Sequence, residues 1–227
     1  YYEKELDFVD MFLFNSSIAK EQYEMRIGIE NYKIVGNMHA GIRDNRKIRN
    51  YDNHTIRFAY LGYPVVFKGY PILISAMDKL EKNYSGKFVL NTYMAHSDPN
   101  KEILERGYIK DHVPYTYKDT EKVYNEMDVL VVPSIWAETY GFVVLEALSY
   151  GVPVIITENV GAKDLLLENN EFGKIVPANE EALYNALELV LCDKNELARY
   201  NRNICDSNMD FSYEKYIEKI LKVYIDS

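Results

Sequence analysis

Two glutamates, Glu138 and Glu146, are the first candidates for chemistry in this chain. Carboxylates accept hydrogen bonds from hydroxyl groups, so two of them facing one pocket suit the recognition of a sugar. The spacing alone proves nothing, because Glu180, Glu188 and Glu196 repeat it in a region typical of a solvated surface helix. The residues around Glu138 and Glu146 distinguish this pair from the others.

The residues around this pair predict a strand, a loop, a helix and a second strand. Val129–Val132 is short, apolar and mostly β-branched, as expected of a strand buried on both faces of a parallel sheet. Pro133 ends it. From Phe142 the apolar positions recur at helical spacing until Gly151, and 154–156 is the next strand.

The loop between the first strand and the helix, residues 134–141, is a predicted phosphate site. In a strand–loop–helix unit the loop lies at the carboxyl edge of the sheet, where unpaired N–H groups and the helix dipole favour an anion. Gly141 lets the backbone come close to such a group. Glu138 in the loop and Glu146 in the second helical turn can then face one pocket from different heights.

Residues 128–157 resemble the donor-binding signature of the retaining GT-B glycosyltransferases of family 4. The shared features are a strand ending in Pro-Ser, Glu-x7-Glu around a Gly-Phe helix start, and Glu-Ala-Leu-x-x-Gly-Val-Pro-Val-Ile. The resemblance implies that Glu146 holds the ribose of an NDP-sugar and that Glu138 holds the transferred sugar. It also implies that backbone at the helix start contacts the diphosphate, at Thr139, Tyr140, Gly141, Phe142 and Val143.

A second part of the family pattern, Gly-Arg-x4-Lys-Gly, falls on residues 62–69. Gly62 and Lys68 match it, whereas Tyr63 stands where the family has an arginine. The resemblance implies that Lys68 stabilises the departing diphosphate and is catalytic together with Glu138. Lys163 is a candidate for the missing cation. Without the family context, a lysine here would be an ordinary surface residue.

Two tyrosines, Tyr115 at the end of the predicted third strand of the main domain and Tyr117 in the loop after it, lie where the nucleobase is bound in the resembling family. Both are candidates for stacking on the base. The plain alternative is packing, because the chain has 21 tyrosines. The segment 158–165 resembles the family's Gly-Gly turn beside the sugar pocket, with Ala162 in place of the second glycine.

Strands that alternate with helices predict an α/β fold with a doubly wound, Rossmann-like parallel sheet. By resemblance it is the C-terminal half of a GT-B fold. We assign residues 1–42 to a remnant of the acceptor domain and the hinge, 43–211 to the nucleotide-sugar-binding domain, and 212–227 to a C-terminal crossing helix that packs near 8–26. Predicted strands outside the central motif are 8–14, 32–35, 55–61, 87–91, 112–115 and 173–177; predicted helices are 15–26, 71–81, 99–107, 120–127, 180–191, 194–208 and 213–224.

Composition limits the function. A net charge of −9 argues against a nucleic-acid partner, whose binding face would be basic. Two cysteines are too few for a disulfide framework, and no signal-peptide pattern or apolar run of ~20 residues is present, so we expect a cytoplasmic protein. The four histidines lack metal-ligand spacing, and the resembling enzymes generally need no metal, so no cofactor is expected besides the donor substrate.

A basic stretch in the linker contains Arg43, Arg46, Lys47 and Arg49. We interpret it as a solvated connector, with contact to a phosphate or an anionic lipid as the alternative. Peripheral membrane contact of a full-length enzyme therefore stays open.

The function predicted by resemblance is transfer of a hexose from an NDP-sugar to an acceptor hydroxyl, in the setting of cell-surface polysaccharide or glycolipid synthesis. This chain alone is expected to be inactive, because the acceptor domain is missing from it. Two alternatives remain: a nonenzymatic nucleotide-binding or interaction module, and a sugar-nucleotide 2-epimerase of GT-B fold. The residues do not identify the nucleobase, the sugar or the acceptor.

Overall fold

The computed structural model of the chain describes residues 6, 8–52, 55–93, 105–169 and 171–226. Within these residues, six strands form one parallel sheet in the order β5-β4-β3-β6-β7-β8, and two form a small parallel sheet, β1-β2. The strands are β1 (Phe12–Phe14), β2 (Tyr32–Ile34), β3 (Ile56–Leu61), β4 (Phe88–Tyr93), β5 (Ile109–His112), β6 (Val129–Val132), β7 (Val154–Thr157) and β8 (Gly173–Val176).

Helices cover both faces of the large sheet. The α-helices of the described residues are α1 (Ser17–Glu24), α2 (Tyr70–Tyr84), α3 (Thr120–Asn125), α4 (Phe142–Ser149), α5 (Lys163–Asn169), α6 (Glu180–Cys192), α7 (Lys194–Asp206) and α8 (Tyr213–Asp226). Local sequence explains several of their starts: a proline lies in the first turn of α2, and the side chains of Asn179 and Asp193 accept backbone N–H groups at the starts of α6 and α7.

The central strand β6 shows why the sheet needs two layers of helix. All four of its residues are buried, and they alternate between two cores. Val129 and Val131 belong to the core under α2 and α6, while Leu130 and Val132 belong to the core under α3 and α4. This alternation is what a parallel strand covered on both faces requires. The predicted doubly wound α/β fold is confirmed.

The first segment and the last helix lie side by side. Tyr216 and Ile220 of α8 line one cavity of about 450 Å³ together with Phe12, Phe14 and Ala19. The expectation that the terminal helix lies near residues 8–26 is confirmed.

Three predicted elements are corrected. The strand expected at 112–115 lies at Ile109–His112, because Leu90 of β4 pairs with Ile109 and Pro114, which has no N–H, follows the strand end. The strand expected over 8–14 is only Phe12–Phe14, and Phe8 is 87% exposed. Residues 163–165, expected as the end of the turn at 158–165, instead form the beginning of helix α5 (Lys163–Asn169). The helix expected at 99–107 lies largely outside the described residues.

Candidate functional site

The loop that follows β6 is held in place by a neighbouring turn. Glu138 forms a parallel bridge with Val160: its N–H donates to the Asn159 carbonyl at 2.8 Å, and its carbonyl accepts from the Gly161 N–H at 2.8 Å. Gly161 must be a glycine, since an added Cβ would lie 2.2 Å from the Thr139 carbonyl oxygen. The turn after β7 therefore fixes the backbone that carries Glu138.

Lys68 and Glu138 meet at the carboxyl edge of the sheet. The Lys68 Nζ lies 3.0 Å from the Glu138 Oε1, and the Ser134 hydroxyl donates to the Glu138 Oε2 at 2.6 Å. The loops that carry Lys68 and Glu138 can come this close because residue 69 is a glycine. Gly69 has φ 74°, and a Cβ at this position would lie 1.7 Å from the Pro133 carbonyl oxygen. The structure thus brings together the two residues predicted to be catalytic.

The start of helix α4 is open in the sense that its sequence provides no capping side chain. Its first flanking residue is Gly141, with φ 96°, and no side chain caps the helix there. The backbone N–H groups of the first turn, including those of Phe142 and Val143, have no carbonyl partner within an α-helix. Tyr140 is buried just before this turn, and its carbonyl accepts from the Ala162 N–H at 2.7 Å. These features fit an anion site beside Lys68.

Glu146 lies one turn further along α4 and is 17% exposed. Its Oε2 accepts from the Tyr124 hydroxyl at 2.6 Å, and its Oε1 lies 3.1 Å from the Nε2 of His39. Burial, the nearby charge of Glu146 and the neighbouring Tyr115 together raise the pKa of Tyr124 well above its usual value, so that this phenol stays protonated as a donor.

The Tyr115 side chain packs against the protein rather than standing exposed to solvent. It lies against the second core, with its ring 6.0 Å from that of Tyr93 in an edge arrangement, and burial raises its pKa to about 12. The charge of Glu146 contributes to this pKa shift, so Tyr115 belongs to the Glu146 side of the site. Tyr117, the other stacking candidate, is 83% exposed.

Tyr63 is exposed, and its carbonyl accepts from the Tyr60 hydroxyl at 2.6 Å. Gly62 precedes it directly after β3. Lys163, proposed as a substitute cation, donates to the Glu158 carbonyl at 3.0 Å. The side chain at position 63 therefore faces open space.

The first segment reaches into the same site. The Ser16 hydroxyl donates to the Thr139 carbonyl, and Ser17 donates through its N–H and its hydroxyl to the Asp164 carboxylate at 2.7 and 2.6 Å. Asp164 lies in the first turn of α5. Sequence reasoning identified neither these contacts nor those of His39 and Tyr124.

Two surface interpretations are corrected. Glu188 is not a solvated helix face: it accepts from the hydroxyls of Tyr84, at 3.0 Å, and Tyr184. The basic linker is not a solvated connector throughout. Arg46 donates to carbonyls at the end of α7, and Arg49 donates to carbonyls of three residues, while burial lowers the Arg49 pKa.

Two absences hold for the part of the chain that the structure describes. Within these ranges, no three His, Cys, Asp or Glu side chains are grouped so that they could hold a metal ion. Within the same ranges, no helix has both the length and the apolar character needed to cross a bilayer.

A cation, a carboxylate pair and an open helix start at the carboxyl edge of a doubly wound sheet define a Rossmann-like α/β domain with a candidate anion and hydroxyl site. Residues 42–206 match the model of the family described as glycosyl transferases group 1, and the chain belongs to that family. The prediction of a glycosyltransferase domain is thereby confirmed at the level of the family.

Individual relatives agree with this membership. The chain is similar to an uncharacterized glycosyltransferase of Methanocaldococcus jannaschii, with 24% identity over 180 residues that cover 78% of this chain and 43% of the relative. It is also similar to the lipopolysaccharide core biosynthesis mannosyltransferase LpsB of Rhizobium meliloti, with 28% identity over 138 residues that cover 58% of this chain and 39% of LpsB. The matched part of the chain therefore covers less than half the length of each of these relatives.

Solved structures share the fold. Anabaena Alr3699/HepE, crystallised in complex with UDP-glucose, superposes with a TM-score of 0.73 at 15% identity, over 97% of this chain and 65% of that one. At this level of identity the likeness concerns the fold.

Proposed function

We propose that this chain is the donor-binding domain of a retaining family 4 glycosyltransferase and forms the C-terminal half of a GT-B fold. In the full-length enzyme it binds an NDP-sugar and transfers the hexose to an acceptor hydroxyl. The similarity to LpsB, a mannosyltransferase of lipopolysaccharide core biosynthesis, supports a role in polysaccharide or glycolipid assembly. This proposal places the reaction on the cytoplasmic side and without a metal, and peripheral membrane contact of the full-length enzyme is the alternative to a solvated linker.

The observation that carries this proposal is the contact between Lys68 and Glu138 beside the open start of α4. A cation and helix N–H groups together stabilise a developing diphosphate leaving group, because both are fixed before the charge develops. Glu138 lies at the same place as an acceptor for sugar hydroxyls. The loop 134–141 and the helix start that follows it thus supply N–H groups for the diphosphate and Glu138 for the sugar, on the two sides of the sugar–phosphate bond that would break.

Glu146 supports the nucleoside side of the proposal. It lies one helical turn beyond the phosphate-binding N–H groups, which suits a ribose attached to the diphosphate. A carboxylate has about four acceptor positions, and two protein donors occupy two of them. Two positions are left for the vicinal hydroxyls of a ribose. Tyr115, on the same side, would border the base.

The acceptor would bind to a domain that this chain lacks. Strands β1 and β2 form an isolated pair, which is too small to be stable by itself. Leu13, Tyr32 and Ile34 on these strands are exposed, as is Leu221 of α8. These apolar side chains support the division into a remnant (1–42), a donor domain (43–211) and a crossing helix (212–227), with the rest of the first domain covering them.

Titration calorimetry with UDP, GDP and their sugar conjugates tests the proposal. We expect the chain to bind an NDP and to catalyse no transfer. Glu146→Gln should weaken binding by roughly ten- to a hundredfold, since a charge-assisted hydrogen bond contributes ~1.5–3 kcal/mol. Glu181→Gln, on an exposed position of α6, is the matched control. If no nucleotide binds, or if both variants bind like the unaltered chain, the site is placed wrongly.

A further inference from the structure

His39 lies in the linker between β2 and β3, far in sequence from the glutamate that it contacts. Its Nε2 is 3.1 Å from the Glu146 Oε1, across 107 residues of chain. The imidazole is 44% exposed, whereas Glu146 is 17% exposed. The edge of the ring also meets Phe142, the first residue of α4, with ring centroids 5.4 Å apart. The linker thus places one side chain directly on the candidate ribose site.

The neighbouring backbone selects the tautomer of this histidine. The Gly41 N–H donates to the His39 Nδ1 at 3.1 Å, so that nitrogen must carry a lone pair. The proton of the neutral ring is therefore on Nε2, and Nε2 donates to Glu146. The approach is close: a Cβ on Gly41 would lie 3.0 Å from Nδ1.

The other carboxylate oxygen of Glu146, Oε2, is held by a buried tyrosine. Tyr124 is fully buried and donates to the Oε2 at 2.6 Å. With one donor on each oxygen, the carboxylate has a fixed plane and a fixed rotamer. The acceptor positions that remain on the two oxygens then point in fixed directions.

We propose that His39 is a positioning residue: its neutral Nε2–H, set by the Gly41 N–H, orients Glu146 so that the free acceptor positions take the two vicinal hydroxyls of the donor ribose. This inference rests on the proposed function. It makes the linker part of the nucleotide site. His39 acts through Glu146 and does not itself touch the reacting atoms.

Calorimetry with two ligands separates positioning from general structural support. The ligands are UDP and 2′,3′-dideoxy-UDP, which lacks both hydroxyls. His39→Ala should weaken UDP binding by about three- to tenfold, as expected for one hydrogen bond, and leave the dideoxy ligand unchanged. His39→Gln, whose amide can donate, should restore most of the UDP affinity. Asn45→Ala, at an exposed position of the same linker, is the control.

Coupling to Glu146 provides a second measurement. In a Glu146→Gln background, His39→Ala should cause no further loss, because the two residues act as one unit. Gly41→Ala adds a methyl group against the His39 imidazole and should displace the ring without removing it. This variant should reproduce part of the His39→Ala effect, so the inference stays testable if His39→Ala fails to fold.

The outcomes distinguish the two proposals. Equal losses of both ligands in His39→Ala, or an unchanged UDP affinity, would overturn the positioning role while leaving donor binding intact. Absence of UDP binding in the unaltered chain would overturn the proposed function itself, and the positioning role with it.

Discussion

Replacement of Lys68 by alanine tests the centre of the site. Lys68 is 28% exposed and Glu138 17%, so their 3.0 Å contact is partly shielded from water. The variant removes a charge-assisted contact to a bound diphosphate, which contributes ~1.5–3 kcal/mol, or roughly ten- to a hundredfold in Kd. The uncompensated charge of Glu138 would then repel the diphosphate and add to the loss.

The assay is calorimetric titration of UDP and UDP-glucose into four proteins: the unaltered chain, Lys68→Ala, Glu138→Gln and the double variant. Glu138→Gln should bind UDP at least as well as the unaltered chain, since Lys68 no longer has a competing anion. It should, however, lose the preference for UDP-glucose over UDP. Lys82→Ala, at an exposed position in the last turn of α2, is the control for loss of one positive charge.

Two results would refute this reasoning. The first is a UDP affinity of Lys68→Ala within twofold of the unaltered chain. The second is a loss of UDP affinity in Glu138→Gln as large as that in Lys68→Ala, because Glu138 would then serve the diphosphate rather than the sugar.

Further predictions concern the missing arginine, the turn after β7 and the response to alkali. Tyr63→Arg should strengthen UDP binding without lowering the melting temperature, because the side chain is exposed; weaker binding would place the diphosphate elsewhere. Gly161→Ala should destabilise the fold, since its Cβ would meet a carbonyl oxygen, whereas Gly28→Ala, with open space around it, should not; equal urea midpoints would contradict this. Burial raises the pKa of Tyr51 and Tyr124, so above the unfolded-state pKa of about 10 these phenols ionise only on unfolding. The free energy of unfolding should then fall as the pH rises through about 10, by roughly 2.5 kcal/mol between pH 9.5 and 11 for these two phenols together, and a flat profile over that range in urea titrations would exclude it.

The sheet and the central motif could be predicted because their signals are local. A fully buried strand such as β6 reads as an unbroken apolar run, and the helix after it has a clear start and stop. Strand β5 lies three residues before its predicted position, because Val113 and Tyr115 resemble strand residues although Val113 is exposed and Pro114 cannot donate to a neighbour.

The contacts within the site could be predicted only in part. Family resemblance pointed to Lys68, Glu138 and Glu146 as candidates, but several side chains that contact this region come from distant parts of the chain. Ser16 and Thr139 are 123 residues apart, and no periodicity links such a pair. His39 lies in a polar linker without a pattern of its own. A single sequence carries no signal for contacts of this kind.

The contact by which Ser16 holds the loop 134–141 has a consequence for protein engineering. A chimera that joins this sheet to a different acceptor domain at residue 43 would keep every strand of the large sheet. It would nevertheless lose the hydroxyl that holds the Thr139 carbonyl and the N–H that holds Asp164. A functional graft must therefore bring residues 16–42 along with the sheet, since the unit that can be exchanged is larger than the domain that the strands delimit.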